Sequence, residues 1–204
     1  YARFWTKVMR DMKLVAIDEP FTRLLTQGMV LNHVWARTSA QGGVDYFPPD
    51  EVTPVGEAEG RPSSGRLADG SAVEYRGMLK MGKTERNGVE PQDLIDRYGA
   101  DTARLFVMFA SPPEQSLDWN NAGVEGANRF LKRLWKFAAR HADAIDSAPA
   151  REPARGQAPA LRHEIHSVLR QVTYDYERMQ YNTVVSGAMK LLNALESHAG
   201  AGAN

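Results

Sequence analysis

The chain contains no cysteine, so disulfides and thiolate metal sites are excluded at once, and a cytoplasmic setting is the expectation. No stretch approaches the roughly 20 consecutive apolar residues that a membrane-spanning helix needs, so no membrane partner is expected. Neither charge is in excess: Lys and Arg total 25, and Asp and Glu total 25. Overall charge therefore points to no polyanionic partner, and only a local patch could do so. What is present is ordinary for a globular chain. Hydrophobic residues are 43% and charged residues 25% of 204 positions, enough for one good core or two small ones.

The pattern along the chain changes character twice. Phe4, Val8, Met12 and Val15 recur at helical spacing from Tyr1 to Leu14, and Asp18-Glu19-Pro20 ends that run. Met29-Val30-Leu31 with Val34 and Trp35 suits a strand. From 39 to 71, Gly42-Gly43, Pro48-Pro49, Pro54, Gly56, Gly60, Pro62, Gly65 and Gly70 punctuate the chain. Val44 to Phe47 and Ala72 to Arg76 are strand-like pieces between these turns, and a mobile loop is expected at Glu57 to Gly65. Pro91 to Tyr98 is a short helix closed by Gly99, and Asp101 is placed to cap the next, which Ser111-Pro112-Pro113 stops.

From Ala122 onward the pattern is helical. Val124, Ala127, Phe130, Leu131, Leu134 and Ala138 mark one face, and Leu161, Ile165, Val168, Leu169, Val172, Tyr176 and Met179 another. Asn182 is expected to cap a third helix, with an antiparallel bundle as the outcome. Trp5, Trp35, Trp119 and Trp135 are assigned to cores. The chain opens at Tyr1 inside a helix and trails off after Ala199 directly from an apolar helix, so a piece of a longer protein is expected.

Gly77-Met78-Leu79-Lys80-Met81-Gly82-Lys83-Thr84 matches the P-loop pattern letter for letter. That element requires a buried strand before the loop and a helix whose N-terminus meets phosphate at the Lys-Thr. Here Asn87-Gly88, a turn dipeptide, follows within four residues of Lys83, and no apolar strand ending in Asp follows to hold magnesium. A P-loop hydrolase is therefore the weak alternative. His163-Glu164-Ile165-His166 misses the zinc-protease spacing, and no protein-bound metal is expected. Arg129, Lys132, Arg133, Lys136 and Arg140 oppose the apolar face of the helix from Ala122 against the single acid Glu125. Such a stripe is either a solvated face or a surface for nucleic-acid phosphates.

Lys80-Met81-Gly82-Lys83-Thr84, followed by Asn87-Gly88-Val89-Glu90-Pro91, resembles the Lys-Met-Ser-Lys-Ser signature of class I aminoacyl-tRNA synthetases. Thr22 to Val30, Tyr98 to Phe106 and Val124 to Trp135 are similar to bacterial leucyl-tRNA synthetases, in the same order and at the same distances from the loop; Tyr1 to Trp5 and Tyr181-Asn182-Thr183 add to the match. The resemblance implies the end of a Rossmann-type catalytic domain at 1–31 and a small β-rich, leucine-specific insertion at 32–76. It implies the signature loop and following helices at 77–120, and an incomplete tRNA-binding bundle at 121–204. The fold class expected is thus mixed α/β followed by all-α.

The same resemblance implies ATP, with its Mg2+, together with leucine and tRNA(Leu) as partners of a monomeric parent. Lys83 is the ATP contact and Lys80 the anchor, with Met81, Gly82 and Thr84 completing the nucleotide-binding loop and the five basic residues contacting tRNA. Gly82 and Thr84 depart from the usual serines, and Glu85-Arg86 replaces a more basic, amide-rich continuation. Glu85 is expected to weaken the attraction for ATP. No counterpart of the family's His-Ile-Gly-His nucleotide signature is present, so this stretch alone is expected to be inactive. A stand-alone tRNA-binding module is the other alternative.

Overall fold

The computed structural model describes residues 1–40, 42–58, 60–147 and 159–201, except for the side chains of 58, 200 and 201. The Ala/Pro/Arg-rich stretch at 147–159, whose composition suggests a loop, lies largely outside the described residues. The chain begins with helix α1 (Ala2–Asp11), then builds a mixed sheet from β1 (Val30–Thr38), β2 (Val44–Phe47), β3 (Thr53–Ala58), β4 (Arg61–Arg66) and β5 (Ala72–Lys80). Helices α2 (Pro91–Tyr98) and α3 (Ala100–Ala110) follow, and a short strand β6 (Leu117–Asp118) returns to the sheet. The remainder is α4 (Asn121–Arg140), α5 (Ala142–Asp146), α6 (Pro159–Glu177) and α7 (Tyr181–Ala201).

The strand order is β2-β1-β5-β4-β3, all antiparallel, with β6 joining β1 in parallel. β1 and β5 form the spine, and their register sets the position of everything at the C-terminal end of β5. Leu31 faces Lys80 and Asn32 faces Leu79; the register slips between Val34 and Trp35, where Gly77 takes φ +101°. That is a β-bulge, and a side chain at Gly77 would be strained in this conformation. Trp35, Val52 and Val73 are buried together, with Phe47, Leu67 and Tyr75 packed around them. Burying a large apolar side chain contributes about 1.5–3 kcal/mol, so this small cluster is enough to hold the Gly/Pro-rich strands in one arrangement.

A second cluster forms where α3, α4 and β6 meet: Phe106, Leu117, Val124 and Ala127 are buried, with Leu94, Tyr98, Leu105 and Trp119 against them. Thr102 donates to the Tyr98 carbonyl at 2.8 Å, and Asn128 donates to the same carbonyl at 3.2 Å, which locks α4 onto the α2–α3 corner. Asn120 caps α4, accepting from the backbone of Ala122 at 2.9 Å. α6 and α7 pack on each other, and α7 also packs on α3.

Several expectations are corrected. Glu57 to Gly65 is not a free loop: β3 and β4 pair across it as a hairpin, Val55 opposite Ser64 and Glu57 opposite Pro62. Asp101 does not cap α3, which begins at Ala100 after Gly99 (φ +85°), but the local ion pair that the sequence offers between Asp101 and Arg104 is formed, at 3.6 Å. Asn182 lies within α7 rather than before it, and its Oδ1 is buried without a hydrogen-bond partner among the described residues. Trp35 and Trp119 do pack in cores, whereas Trp5 is 56% and Trp135 77% exposed. On α1 the apolar stripe also stays open, with Phe4 and Met12 exposed. That helix is tied to the turn after it by Arg3 and Lys7 on Glu19 and by Arg10 on Asp18.

Candidate functional site

The loop after β5 is where the sequence placed its chemistry, and its two halves are built differently. Lys80 ends β5, and the Met81 N–H donates to the Val30 carbonyl at 3.0 Å, extending the β1 pairing one residue further. Residues 83–86 then form a turn, with Arg86 in the left-handed region at φ +53°. No helix begins at Lys83-Thr84; the next one starts at Pro91. With no helix starting at Lys83-Thr84, the P-loop alternative has lost its phosphate-binding element.

Asn87 closes the loop. Its side chain is fully buried, and its Oδ1 accepts the Gly82 N–H at 2.9 Å. Its amide Nδ2 is shared among the carbonyls of Asn32 (3.3 Å), Leu79 (3.3 Å) and Lys80 (3.4 Å). Asn32, itself buried, returns the contact by donating from Nδ2 to the Asn87 carbonyl at 3.0 Å, while its Oδ1 accepts the His33 N–H at 2.8 Å. An amide is suited to this place because it alone offers an acceptor and two donors on one rigid plane. The pair staples the loop's exit to its entrance. Sequence reasoning took Asn87 for a turn former and gave Asn32 no role, because the partners lie 55 positions apart.

The lysines sit on this stapled base. Lys80 and Lys83 are both exposed, and neither ammonium is in an ion pair among the described residues. Met81 and Gly82 are half-buried, and Thr84 is exposed. Arg86 turns back onto the sheet, donating to the Tyr46 carbonyl at 3.3 Å and lying 4.0 Å from Glu51. Gly82, Lys83 and Arg86 line an open cleft of about 1330 Å³ that continues past Asn32 and His33 to Asp118. A free ammonium on a short turn over a cleft can meet an anion without first breaking a pair.

His33 has a partner of its own: its Nδ1 lies 3.0 Å from the Tyr75 hydroxyl. Burial pushes the imidazole below its ordinary value, opposed by Asp118 and assisted by Arg61. The same burial raises the Tyr75 hydroxyl. His163 and His166 are exposed on α6, and no group of three or more metal-ligating side chains occurs among the described residues.

The basic residues of α4 are not equivalent. Arg129, Lys132, Arg133, Lys136 and Arg140 are all exposed. Arg133, however, reaches α7, bonding Asn193 at 2.7 Å and pairing with Glu196 at 2.5 Å. The other four form no ion pair among the described residues. The exposed Leu134 and Trp135 lie between them, which a purely solvated face would not require.

The chain is 63% identical over 200 residues to leucine--tRNA ligase of Leptothrix cholodnii, which covers 97% of this chain and 22% of that protein. It is 62% identical to the leucine--tRNA ligase of Variovorax paradoxus over 96% of this chain, and 57% identical to that of Bordetella petrii. Among solved structures, the Agrobacterium radiobacter K84 agnB2 LeuRS, in a ternary complex with tRNA and LeuAMS, aligns with a TM-score of 0.64. That alignment is 21% identical and covers 97% of this chain and 20% of that one, so it speaks for the fold: a mixed α/β sheet followed by helices. No protein-family model matches the chain. The chain thus spans about a fifth of the length of the curated relatives it matches, and in sequence it corresponds to an internal stretch of bacterial leucine--tRNA ligases.

Proposed function

We propose that this chain is the phosphate-clamping part of a leucine--tRNA ligase, acting on ATP during the activation of leucine. The observation that carries the reading is Lys83, in no ion pair among the described residues, on a short turn whose base is stapled by Asn87 and Asn32. In the reaction, a leucine carboxylate oxygen attacks the α-phosphorus of ATP, the bond to the bridging oxygen breaks, and pyrophosphate leaves. Negative charge accumulates on the leaving phosphates, and a cation placed there stabilises the transition state more than the ground state. Lys83 serves that role, Lys80 anchors the strand end, and Mg2+ arrives with the ATP. Met81, Gly82 and Thr84 shape the turn. A hydroxyl of tRNA(Leu) then takes the leucyl group as its ester, the acyl–phosphate bond breaks, and AMP leaves.

The division at 31/32, 76/77 and 120/121 belongs to the same reading. β1 and β5 run across the first two of these positions, which couples the insertion directly to the loop. Within it, Arg129, Lys132, Lys136 and Arg140 position the tRNA backbone without reading its sequence, and Arg133 fixes α4 to α7. The exposed Leu134 and Trp135 beside these cations favour this surface over a merely solvated one.

Titrating Mg-ATP and tripolyphosphate into the chain tests the clamp. Lys83→Ala is expected to weaken binding about tenfold, equivalent to about 1.4 kcal/mol, with an unchanged thermal midpoint. Equal affinities for the two proteins would defeat the reading. The chain by itself is expected to show no leucine-dependent ATP–pyrophosphate exchange.

A further inference from the structure

Position 82 is where the related signature commonly has a serine, and here the site carries glycine. A Cβ built on Gly82 would overlap Oε2 of Glu85 and stand 3.3 Å from its Cδ. The volume next to the Gly82 backbone is therefore already filled, by a carboxylate oxygen arriving from three residues further along. Glu85 is half-buried and is in no ion pair among the described residues, although two exposed lysines stand on the same loop. The Gly82 N–H is held by Asn87, which keeps this backbone from moving away.

These observations join two departures that look unrelated in sequence. The geometry points to Gly82 and Glu85 as a compensated pair: Glu85 is a positioning residue that supplies, from outside position 82, the oxygen and bulk a serine would place there. The exchange leaves the shape of the loop in place and changes its charge. A carboxylate stands in the half-buried base of the turn that carries Lys83, so an approaching phosphate meets a negative charge as well as the ammonium. Triphosphate binding is then tuned downward by a group that also fills the space beside Gly82. This rests on the phosphate-clamp reading above and deepens it.

The test separates volume from charge. Glu85→Gln preserves the shape and removes the charge; tripolyphosphate should bind about three- to tenfold tighter than to the unchanged chain, and the gap should narrow as salt screens the interaction. Gly82→Ser alone must swing the carboxylate end of Glu85 aside, a cheap shift for the far end of a flexible side chain, so its thermal midpoint should fall only slightly. In Gly82→Ser with Glu85→Ala the space is vacated, so the added serine should cost nothing. Equal affinities of the chain and Glu85→Gln, including no binding by either, overturn the proposal, as does an equal cost of Gly82→Ser in the two backgrounds. Lys83→Ala keeps the two ideas distinct. If it binds as well as the unchanged chain while Glu85→Gln binds tighter, the lysine clamp fails and the pair stands. If it loses affinity while Glu85→Gln is unchanged, the pair fails and the clamp stands.

Discussion

Lys83 and Arg129 both stand exposed, yet the structure beneath them differs in kind. Under Lys83 lies a buried amide network in which Asn87 and Asn32 hold the ends of a six-residue span between Met81 and Arg86. Under Arg129 lies a regular helix whose apolar side is packed and whose basic side faces solvent. A buried polar network permits one geometry, because every alternative leaves a donor or acceptor unsatisfied in a low dielectric. A basic helix face permits many side-chain positions at nearly equal energy. The first suits a step that needs a charge at one place, and the second suits a partner held by many weak contacts.

The contrast breaks most readily at Asn87. Asn87→Ala removes the acceptor for Gly82 and the donor shared by the carbonyls of Asn32, Leu79 and Lys80, so a loss of about 2–3 kcal/mol is expected in urea unfolding. Asn87→Asp keeps the acceptor but turns a carboxylate toward those carbonyls, and should be no milder. A loss under about 0.5 kcal/mol for both would mean that the loop does not depend on the staple. Lys83→Ala is the opposite kind of change: it should leave stability alone and act only on triphosphate binding.

Much of the scaffold was legible because it depends on local signals. Pro91 and Gly99 bound α2 as expected, Ser111 ends α3, and β2 coincides with the strand-like piece from Val44 to Phe47. The hairpin of β3 and β4 was not legible. Its residues, Thr53 to Ala58 and Arg61 to Arg66, are rich in Gly, Pro and Ser, and what makes them strands is pairing with each other and with β5. The loop's place was evident from its two lysines and their neighbours. Its staple was not, since an Asn-Gly pair carries the same local signature in a turn as in a buried clamp. Trp135 was misread because an aromatic at helical spacing does not reveal whether a partner covers it.

On α4 the expected effects are smaller. Arg129→Ala, Lys132→Ala and Lys136→Ala should each reduce tRNA affinity modestly and lower the salt slope by about one for each phosphate no longer neutralised. Arg133→Ala should differ from these three. Its bonds to Asn193 and Glu196 lie on a half-exposed surface, so the change should cost under about 1 kcal/mol of stability and leave the salt slope almost unchanged. If all four variants behave alike, the distinction drawn between Arg133 and the other three cations is wrong.

The smallest effect concerns the floor of the cleft. His33 ordinarily would titrate at 6.5, but burial holds it lower in the fold, while Asp118 opposes and Arg61 assists that shift. The unfolded chain therefore binds more protons than the folded one as pH falls below 6.5. Stability contributed by the neutral ring is present above that value, declines through the window down to the folded pKa, and changes no further below it. His33→Gln retains a polar group facing Tyr75 but has nothing to titrate there. Urea midpoints compared between about pH 5 and about pH 8 should show a steeper acid-side decline for the unchanged chain than for His33→Gln. Parallel curves would mean that the imidazole protonates as easily in the cleft as in water. The loop's neighbourhood would then be wetter than the burial of His33 implies, and the sharp difference between the stapled loop and the solvated helix would narrow.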